Sequence, residues 1–334
     1  MLTEDSQVIA LLCSQLSQGE RLSEQVKPLS PSEWSQLADR IAEAGLERPS
    51  ALVGRTVVEI CEGLELEQIL AERVAALLDR GVQLAVELER LNSRGIWVLT
   101  QADDSYPGKL SQRLKHRAPP VLFGAGPVEL LSEPGVAVVG SRDVDESAQT
   151  FAEEIGRRCA GDGLAVFSGG ARGVDRVAMT ACLECSGFAV GILADSLERT
   201  LLDPTVREYI RDERLTLGSQ FHPSSPFSVG KAMGRNPLIY CLSEYAVVVD
   251  SALEKGGSWA GAEQDLKSGW VPLFVRAGSD IPAGNQELIE RGGIPLEIES
   301  LPNDESFSDW LRDQAANWKP RRNRTERVQQ DMLF

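Results

Sequence analysis

The sequence predicts an α/β protein with a doubly wound, Rossmann-like and mostly parallel sheet, preceded by an N-terminal helical domain. Three observations support this prediction. From residue 135 onward, short apolar runs alternate with helical stretches of about 10 to 17 residues, which is the order of strands and helices in such sheets. The runs are apolar at almost every position, as is typical of strands buried on both faces. Residues 1–92, in contrast, show helical periodicity without a strand pattern.

The elements follow in order along the chain. In the helical region, Ser30, Pro31 and Glu33 predict a capping box with proline at the first helical position. A short strand, GIWVLT, comes next, and then the turn-rich segments QADDSYPGKL and HRAPPVLFGAG. The later strands are predicted at GVAVVG, LAVFSGG, FAVGIL, LTLGSQ, YAVVVDS and VPLFVRAG. The helices between them are predicted at SAQTFAEEIGRRCAGDG, GVDRVAMTACLECSG, the acidic stretch after FAVGIL, GKAMGRNPLIYCLSE and SWAGAEQDLKSG.

These patterns predict four regions. They are a helical domain (1–92), a lead-in to the sheet (93–134), the sheet domain (135–298) and a flexible C-terminal tail (299–334), which begins acidic and ends in the basic run KPRRNRTER.

Composition narrows the classes of function. The 334 residues include 34 Lys and Arg against 50 Asp and Glu, a formal net charge of −16. A general basic coat for nucleic acid is therefore absent, and any phosphate site must be a local cluster. The N-terminus is acidic where a signal peptide is basic, and no apolar run reaches the roughly 18 residues of a membrane span. We expect a cytoplasmic protein with reduced cysteines and no membrane association.

Glycine-rich turns with basic residues predict a phosphate site. Parallel strands end at the same edge of a sheet, and a helix N-terminus with bare N–H groups binds anions. The alternative is that these glycines only form tight turns. The predicted nucleic-acid or phosphate-binding residues are Gly140, Ser141, Arg142, Ser168, Gly169, Gly170, Arg172, Gly173, Lys231, Arg235, Asn236, Gly256, Gly257 and Ser258. Lys255 belongs to the same group of strand-end cations.

Nothing in the sequence predicts a metal or a cofactor. Cys182 and Cys185 form a single CxxC within a predicted helix, which favours core or surface thiols over a metal site. His222 lies in a predicted loop and is a candidate to line the mouth of the site. No Ser/His/Asp constellation is detectable, and no catalytic residue is assigned.

The segments GSR, SGGARGVD, Arg235-Asn236 and the late GGS, in this order and spacing, resemble the DNA-processing protein A (DprA/Smf) family over residues 90–296. The resemblance implies a protein that binds single-stranded DNA, loads a recombinase on incoming strands during transformation, and self-associates. The chain departs from the family pattern at three places. Ala178-Met179 lacks the family's histidine, Pro237 replaces the last residue of RNR, and Ala232-Met233 replaces an aromatic–proline pair. The residues beyond 300 are too few for the winged helix of many members, so we expect a divergent branch.

A second resemblance supplies the alternative function. Gly256-Gly257 with Glu263 is similar to the PGGxGTxxE signature of the LOG phosphoribohydrolases, and Arg235 stands where their catalytic arginine would. This implies a nucleotide sensor or an enzyme that cleaves the base from nucleoside monophosphates. Glu263 could equally be an acid favoured by the helix dipole.

We therefore predict a DprA-like protein of DNA uptake, recombination or foreign-DNA response. Strand phosphates would be held by Arg142, Arg172, Lys231 and Arg235, and bases would stack on Phe227 or Trp259. An alternative role for Arg172 is a structural tie to Asp175. The apolar run 237–242 is one candidate surface for self-association, and it could equally be core.

Overall fold

The computed structural model describes residues 2–16, 27–301, 306–316 and 318. The described chain forms two compact units. The first comprises 1–125 with the insertions 195–203 and 218–226, and the second comprises 126–194, 204–217 and the residues from 227 onward. Among the described residues, no helix is long and apolar enough to cross a bilayer.

The first unit is mostly helical. Its helices are α1 (Glu4–Cys13), α2 (Pro31–Glu43), α3 (Val57–Gly63), α4 (Gln68–Leu78), α5 (Gly81–Asn92), α6 (Gly108–Leu114) and α9 (Leu197–Thr200). Strands β1 (Trp97–Thr100) and β2 (Val121–Ala125) pair antiparallel. The predicted capping box of α2 is confirmed, since the Ser30 hydroxyl accepts from the N–H of Glu33 and the Glu33 carboxylate accepts from the N–H of Ser30.

His222 belongs to the core of this first unit. Its ring is buried, and Nε2 lies 2.9 Å from a carboxylate oxygen of Glu87 on α5. Its other ring nitrogen, Nδ1, lies 2.8 Å from the hydroxyl oxygen of Ser224. The expectation that His222 lines a ligand mouth is therefore wrong, because both ring nitrogens are engaged inside this unit.

The second unit contains the parallel sheet. Its strands follow the spatial order β6-β5-β4-β3-β7-β8-β9. They are β3 (Gly135–Val139), β4 (Ala165–Ser168), β5 (Ala189–Ile192), β6 (Leu215–Ser219, of which 215–217 belong to this unit), β7 (Tyr245–Val248), β8 (Leu273–Arg276) and β9 (Ile294–Leu296). The helices are α7 (Glu146–Gly161), α8 (Val174–Glu184), α10 (Pro204–Arg211), α11 (Val229–Leu242), α12 (Gly256–Ser268), α13 (Ala283–Glu290) and α14 (Phe307–Ala315).

The strand order confirms the predicted doubly wound class. Strand β3 pairs in parallel with β4 on one side and with β7 on the other. The chain builds the sheet outward from β3 through β4 and β5, and then returns to add β7, β8 and β9 on the opposite side. The order therefore reverses between β3 and β7, and in sheets of this kind ligands bind at such a reversal.

Several details differ from the sequence expectations. Strand β2 lies within the segment interpreted as turns, and β9 is a further strand, only three residues long, that was not predicted. Helix α14 lies inside the predicted tail and buries Phe307 and Leu311, whereas the basic run 319–327 is outside the described residues. The first unit continues to Ala125, past the predicted end of the helical domain at residue 92. The boundaries between the four predicted regions remain predictions.

The apolar run 237–242 forms the end of α11. Residues Leu238 to Leu242 are all buried within the second unit. This run is therefore core, and its use as a surface for self-association is excluded because its side chains already pack inside the unit.

Candidate functional site

The second unit has a cavity at the point where its strand order reverses. Gly140, which follows β3, and Asp250, which follows β7, both line it. Its volume of about 410 Å³ is within the range of small-ligand pockets. The cavity reaches from exposed residues, including Arg142 and Lys255, to buried ones such as Tyr240.

The structure brings together some of the predicted phosphate-binding residues and leaves others outside. Those that line the cavity are Gly140, Ser141, Arg142, Arg235, Asn236, Gly256, Gly257 and Ser258. Among the residues that the structure describes, those predicted but absent from its lining are Ser168, Gly169, Gly170, Arg172, Gly173 and Lys231. The cavity is thus lined mainly by the loop after β3, by α11 and by the start of α12, and the loop after β4 with the start of α8 contributes Ala171 and Asp175.

The two glycine-rich loops are packed against each other, which explains two of their glycines. A Cβ on Gly140 would lie 2.4 Å from a methyl carbon of Val174, at the start of α8. Gly173 has φ +91°, and a Cβ there would lie 2.3 Å from the backbone oxygen of Ser141. The hydroxyl of Ser258 also donates to the backbone oxygen of Gly140, at 2.7 Å. The first loop is therefore fixed by α8 and α12 together.

Two N–H groups of the loop after β4, which was predicted as an anion site, are engaged by a carboxylate. One carboxylate oxygen of Asp175 accepts from the N–H of Gly169 at 3.1 Å and from the N–H of Ala171 at 3.4 Å. Asp175 thus occupies the position expected for a phosphate. Burial raises the pKa of the Asp175 carboxyl, while Arg235 and the two N–H groups oppose that rise.

Arg235 connects three parts of the cavity wall. It is only 6% exposed, and its Nη2 donates to the backbone oxygen of Gly169 at 3.0 Å. Its Nη1 donates to the side-chain oxygen of Asn236, whose amide nitrogen donates to the backbone oxygen of Gly257. The arginine predicted to hold phosphate therefore also fixes the loop after β4, and Asn236 fixes the start of α12.

The two loop arginines differ. Arg172 is exposed, with 72% of its side chain accessible, and its Nη2 lies 2.5 Å from a carboxylate oxygen of Asp143. Asp143, not Asp175, is thus the partner that ties Arg172 to the first loop. Arg142 is also exposed, and its guanidinium lies 5.2 Å from the ring centroid of Phe227. At that distance the two groups form a cation–π pair at the rim of the cavity.

The start of α12 is an uncapped helix N-terminus in the cavity lining. Lys255 occupies the N-cap position, where it provides no side-chain hydrogen bond to the helix, and the first helical residues Gly256, Gly257 and Ser258 line the cavity. The N–H groups of an uncapped first turn and the helix dipole favour a negative charge there. Lys231 lies in the first turn of α11, outside the lining, and its N–H donates to the Ser228 hydroxyl.

The cavity also contains groups that the search for basic residues missed. Asp250 lines it, and burial raises the pKa of this carboxyl despite Arg276, whose Nη2 lies 3.9 Å away. A signal was present in the sequence, because Asp250 is the first charged residue after the buried strand YAVVV. Tyr240 lines the cavity from α11 and is only 1% exposed.

Replacing Tyr240 by phenylalanine should stabilise the free protein. The hydroxyl is buried without a hydrogen-bond partner among the described residues, and burial holds its pKa well above the usual value. Leaving such a group unsatisfied costs about 1–3 kcal/mol, so the melting temperature of Tyr240→Phe should rise. A fall in melting temperature would show that the hydroxyl is satisfied in solution.

The signature similar to that of the phosphoribohydrolases is only partly at the cavity, because Arg235, Gly256 and Gly257 line it and Glu263 does not. Among the described residues, neither Glu263 nor Trp259 belongs to the lining. The Glu263 carboxylate pairs with Arg291 at 2.7 Å and with Lys267 at 3.1 Å. Trp259 is buried, with the Arg291 guanidinium 5.0 Å from its ring centroid. Of the two aromatic residues predicted to stack on bases, only Phe227 lies at the cavity.

Comparison with known proteins gives consistent matches. The family model for DNA recombination-mediator protein A matches residues 97–300. DNA processing protein DprA of Streptococcus pneumoniae is 30% identical over 195 residues, which are 57% of this chain and 67% of that protein. A putative DNA processing protein DprA of Mycobacterium tuberculosis is 29% identical over 259 residues, 69% of this chain and 64% of that protein. The chain thus spans about two thirds of the curated relatives it matches.

Solved structures agree on the fold. The crystal structure of the Streptococcus pneumoniae protein has a TM-score of 0.63 at 21% identity and covers 87% of this chain and 99% of its own. A structure of DNA processing protein A from Helicobacter pylori, described for its single-stranded DNA binding mode, has a TM-score of 0.52 at 23% identity, with 67% and 97% covered.

Proposed function

Because the chain belongs to the DNA recombination-mediator protein A family, we propose that it binds single-stranded DNA through the cavity of its second unit. The observation that supports this most is the pairing of a cation with an aromatic ring at an exposed rim. Phe227 is 45% exposed and Arg142 lies over its ring, next to the uncapped start of α12. Sites for single strands combine such cations, which follow phosphates, with aromatic rings on which bases stack.

Arg142, Lys255 and the first turn of α12 are the proposed phosphate contacts. The two side chains are exposed at the rim, and the N–H groups of Gly256 to Ser258 are at the positive end of a helix dipole. Arg235 contributes charge from the buried wall. Arg172 has a weaker role in this proposal, because Asp143 already neutralises it.

The proposed role follows the relatives' names, which describe DNA processing proteins. We propose that the chain acts in DNA uptake, recombination or the response to foreign DNA, in the cytoplasm, as an oligomer, together with a recombinase. The Helicobacter pylori neighbour supports single-stranded DNA as the ligand class.

A nucleoside-monophosphate hydrolase has less support. That reaction would need Glu263 beside Arg235 at the cavity as an acid or base. Glu263 instead forms ion pairs with Arg291 and Lys267. Absence of base release from nucleoside monophosphates, measured alongside DNA binding, is the result expected here.

Arg142→Gln should weaken binding of single-stranded DNA by about 1.5–3 kcal/mol, the range for a hydrogen bond to a charged group. Glutamine keeps much of the side-chain length and removes the charge. Fluorescence anisotropy with a labelled oligothymidylate measures this loss of affinity. The affinity of Arg172→Gln should fall by less.

The matched control is Arg157→Gln. Arg157 is an exposed arginine of α7, paired with Glu153 and outside the cavity lining, and its replacement makes the same change in net charge. Equal affinities for Arg142→Gln and Arg157→Gln would contradict the proposed site.

A further inference from the structure

The cavity holds a hydrogen-bond acceptor that a phosphate site does not need. Asp250 lies in its wall at the carboxyl end of β7. Its carboxylate accepts no hydrogen bond from any described residue, and the nearest cation, Nη2 of Arg276, is 3.9 Å away. A carboxylate facing a cavity repels a phosphate and binds groups that present N–H or O–H donors.

The cation nearest to the Asp250 carboxylate, Arg276, is itself fixed by hydrogen bonds. Arg276 is only 3% exposed, and its Nε donates to the backbone oxygen of Val249 at 2.9 Å. Its Nη1 donates to the Ser147 hydroxyl at 3.0 Å. The guanidinium therefore cannot swing into the cavity, and Asp250 keeps both a fixed countercharge and a free acceptor edge.

Positive groups and a carboxylate line the same cavity. Arg142 comes from the loop after β3, whereas Asp250 and Lys255 both lie in the segment between β7 and α12. A ligand that satisfies both kinds of group has an anionic part and a donor-bearing part. One nucleotide of a strand meets this description, and the volume of about 410 Å³ is in the range of pockets that hold small ligands.

Among the bases, guanine fits a carboxylate best. Its N1–H and its exocyclic amine are adjacent donors that two carboxylate oxygens can accept together. Thymine offers a single N–H between two carbonyl oxygens, which a carboxylate repels. A site built to accept a donor pair rejects a base that lacks it, because its own acceptor is then left unpaired.

We propose that Asp250 is a specificity-determining residue that accepts hydrogen bonds from a guanine seated in the cavity. This proposal rests on the proposed binding of single-stranded DNA at the same site. It gives the protein a base preference in addition to the sequence-independent grip on phosphates.

The test compares three oligonucleotides against the full chain in one buffer. They are a labelled 20-mer of thymidine, the same 20-mer with three guanines, and the same with three inosines, which keep N1–H and lack the exocyclic amine. We expect the guanine strand to bind at least about fivefold more tightly than thymidine, the lower end of discrimination by a bidentate base contact, with inosine between them. Equal binding of all three strands, or equal binding of guanine and inosine, overturns the proposal.

Asp250→Asn assigns the preference to this residue, because the amide keeps the shape and offers only one acceptor. The variant should lose most of the ratio of guanine-strand affinity to thymidine-strand affinity, and this ratio is measured within the variant itself, so it does not depend on the absolute affinity of the variant. Asp280→Asn, at an exposed position outside the lining, is the control and should keep the preference.

A guanine preference that persists in Asp250→Asn overturns the assignment, while binding of the thymidine strand by the wild type leaves the proposed function standing. Failure of every strand to bind the wild type would contradict the proposed function itself, and the base preference with it. The comparison of the three strands on the wild type needs no variant to fold.

Discussion

Gly173→Ala is expected to destabilise the second unit by about 2–5 kcal/mol, from the strain of a left-handed backbone together with overpacking. The backbone of Gly173 has φ +91°, which L side chains rarely adopt. A Cβ would also lie 2.3 Å from the backbone oxygen of Ser141 and 2.6 Å from that of Arg142. Neither backbone oxygen can move without shifting the loop after β3, so binding of single-stranded DNA should fall together with stability. Calorimetric melting of the wild type and of Gly173→Ala measures the loss of stability.

Gly163→Ala separates backbone strain from overpacking as causes of the destabilisation. Gly163 has φ +68° in the same unit, and its Cβ would meet no atom within 4 Å. The free energy of unfolding of Gly163→Ala should fall only by the cost of the left-handed backbone, about 1–2 kcal/mol. If both variants melted at the same temperature, the close packing of the two loops would play no part in stability.

The second large expected effect is a steep fall in the affinity for single-stranded DNA as the salt concentration rises. Each phosphate neutralised on a single strand contributes a slope of about −0.7 to the logarithm of affinity against the logarithm of salt concentration. Arg142, Lys255 and the start of α12 provide contacts for about three phosphates, so the affinity for an oligothymidylate should fall about 20-fold between 50 and 200 mM salt. Because the chain carries a net charge of −16, the affinity itself should be modest at every salt concentration.

Local sequence patterns predicted the sheet and part of the cavity lining. Apolar runs such as GVAVVG and YAVVVDS became the central strands β3 and β7, since a strand buried on both faces requires apolar residues on both sides. The glycine-rich turns after the strands were recognisable because parallel strands place their ends at one edge. Gly140, Arg142 and Gly256 accordingly lie at the cavity.

The remaining details depend on contacts that no local pattern encodes. Asp175 accepts from the N–H groups of Gly169 and Ala171, so two donors of a loop that resembles an anion site in sequence are already engaged. Arg172 pairs with Asp143, which is 29 residues away in sequence, and Glu263 pairs with Arg291, which is 28 residues away. Strand β2 was missed because its residues follow Pro119-Pro120 in a turn-rich segment, and its strand state depends on pairing with β1.

The salt slope of a double variant tests the central claim most directly. Arg142→Gln/Lys255→Gln removes the two exposed cations of the rim, and Arg157→Gln/Arg207→Gln removes two exposed arginines outside the lining. Oligothymidylate binding is measured for both variants and the wild type from 50 to 200 mM salt. If the rim cations hold phosphates, the slope of the first variant should be shallower than that of the wild type by about 1.4, whereas the control should keep the wild-type slope. Equal slopes for all three proteins would contradict the binding of single-stranded DNA at this cavity.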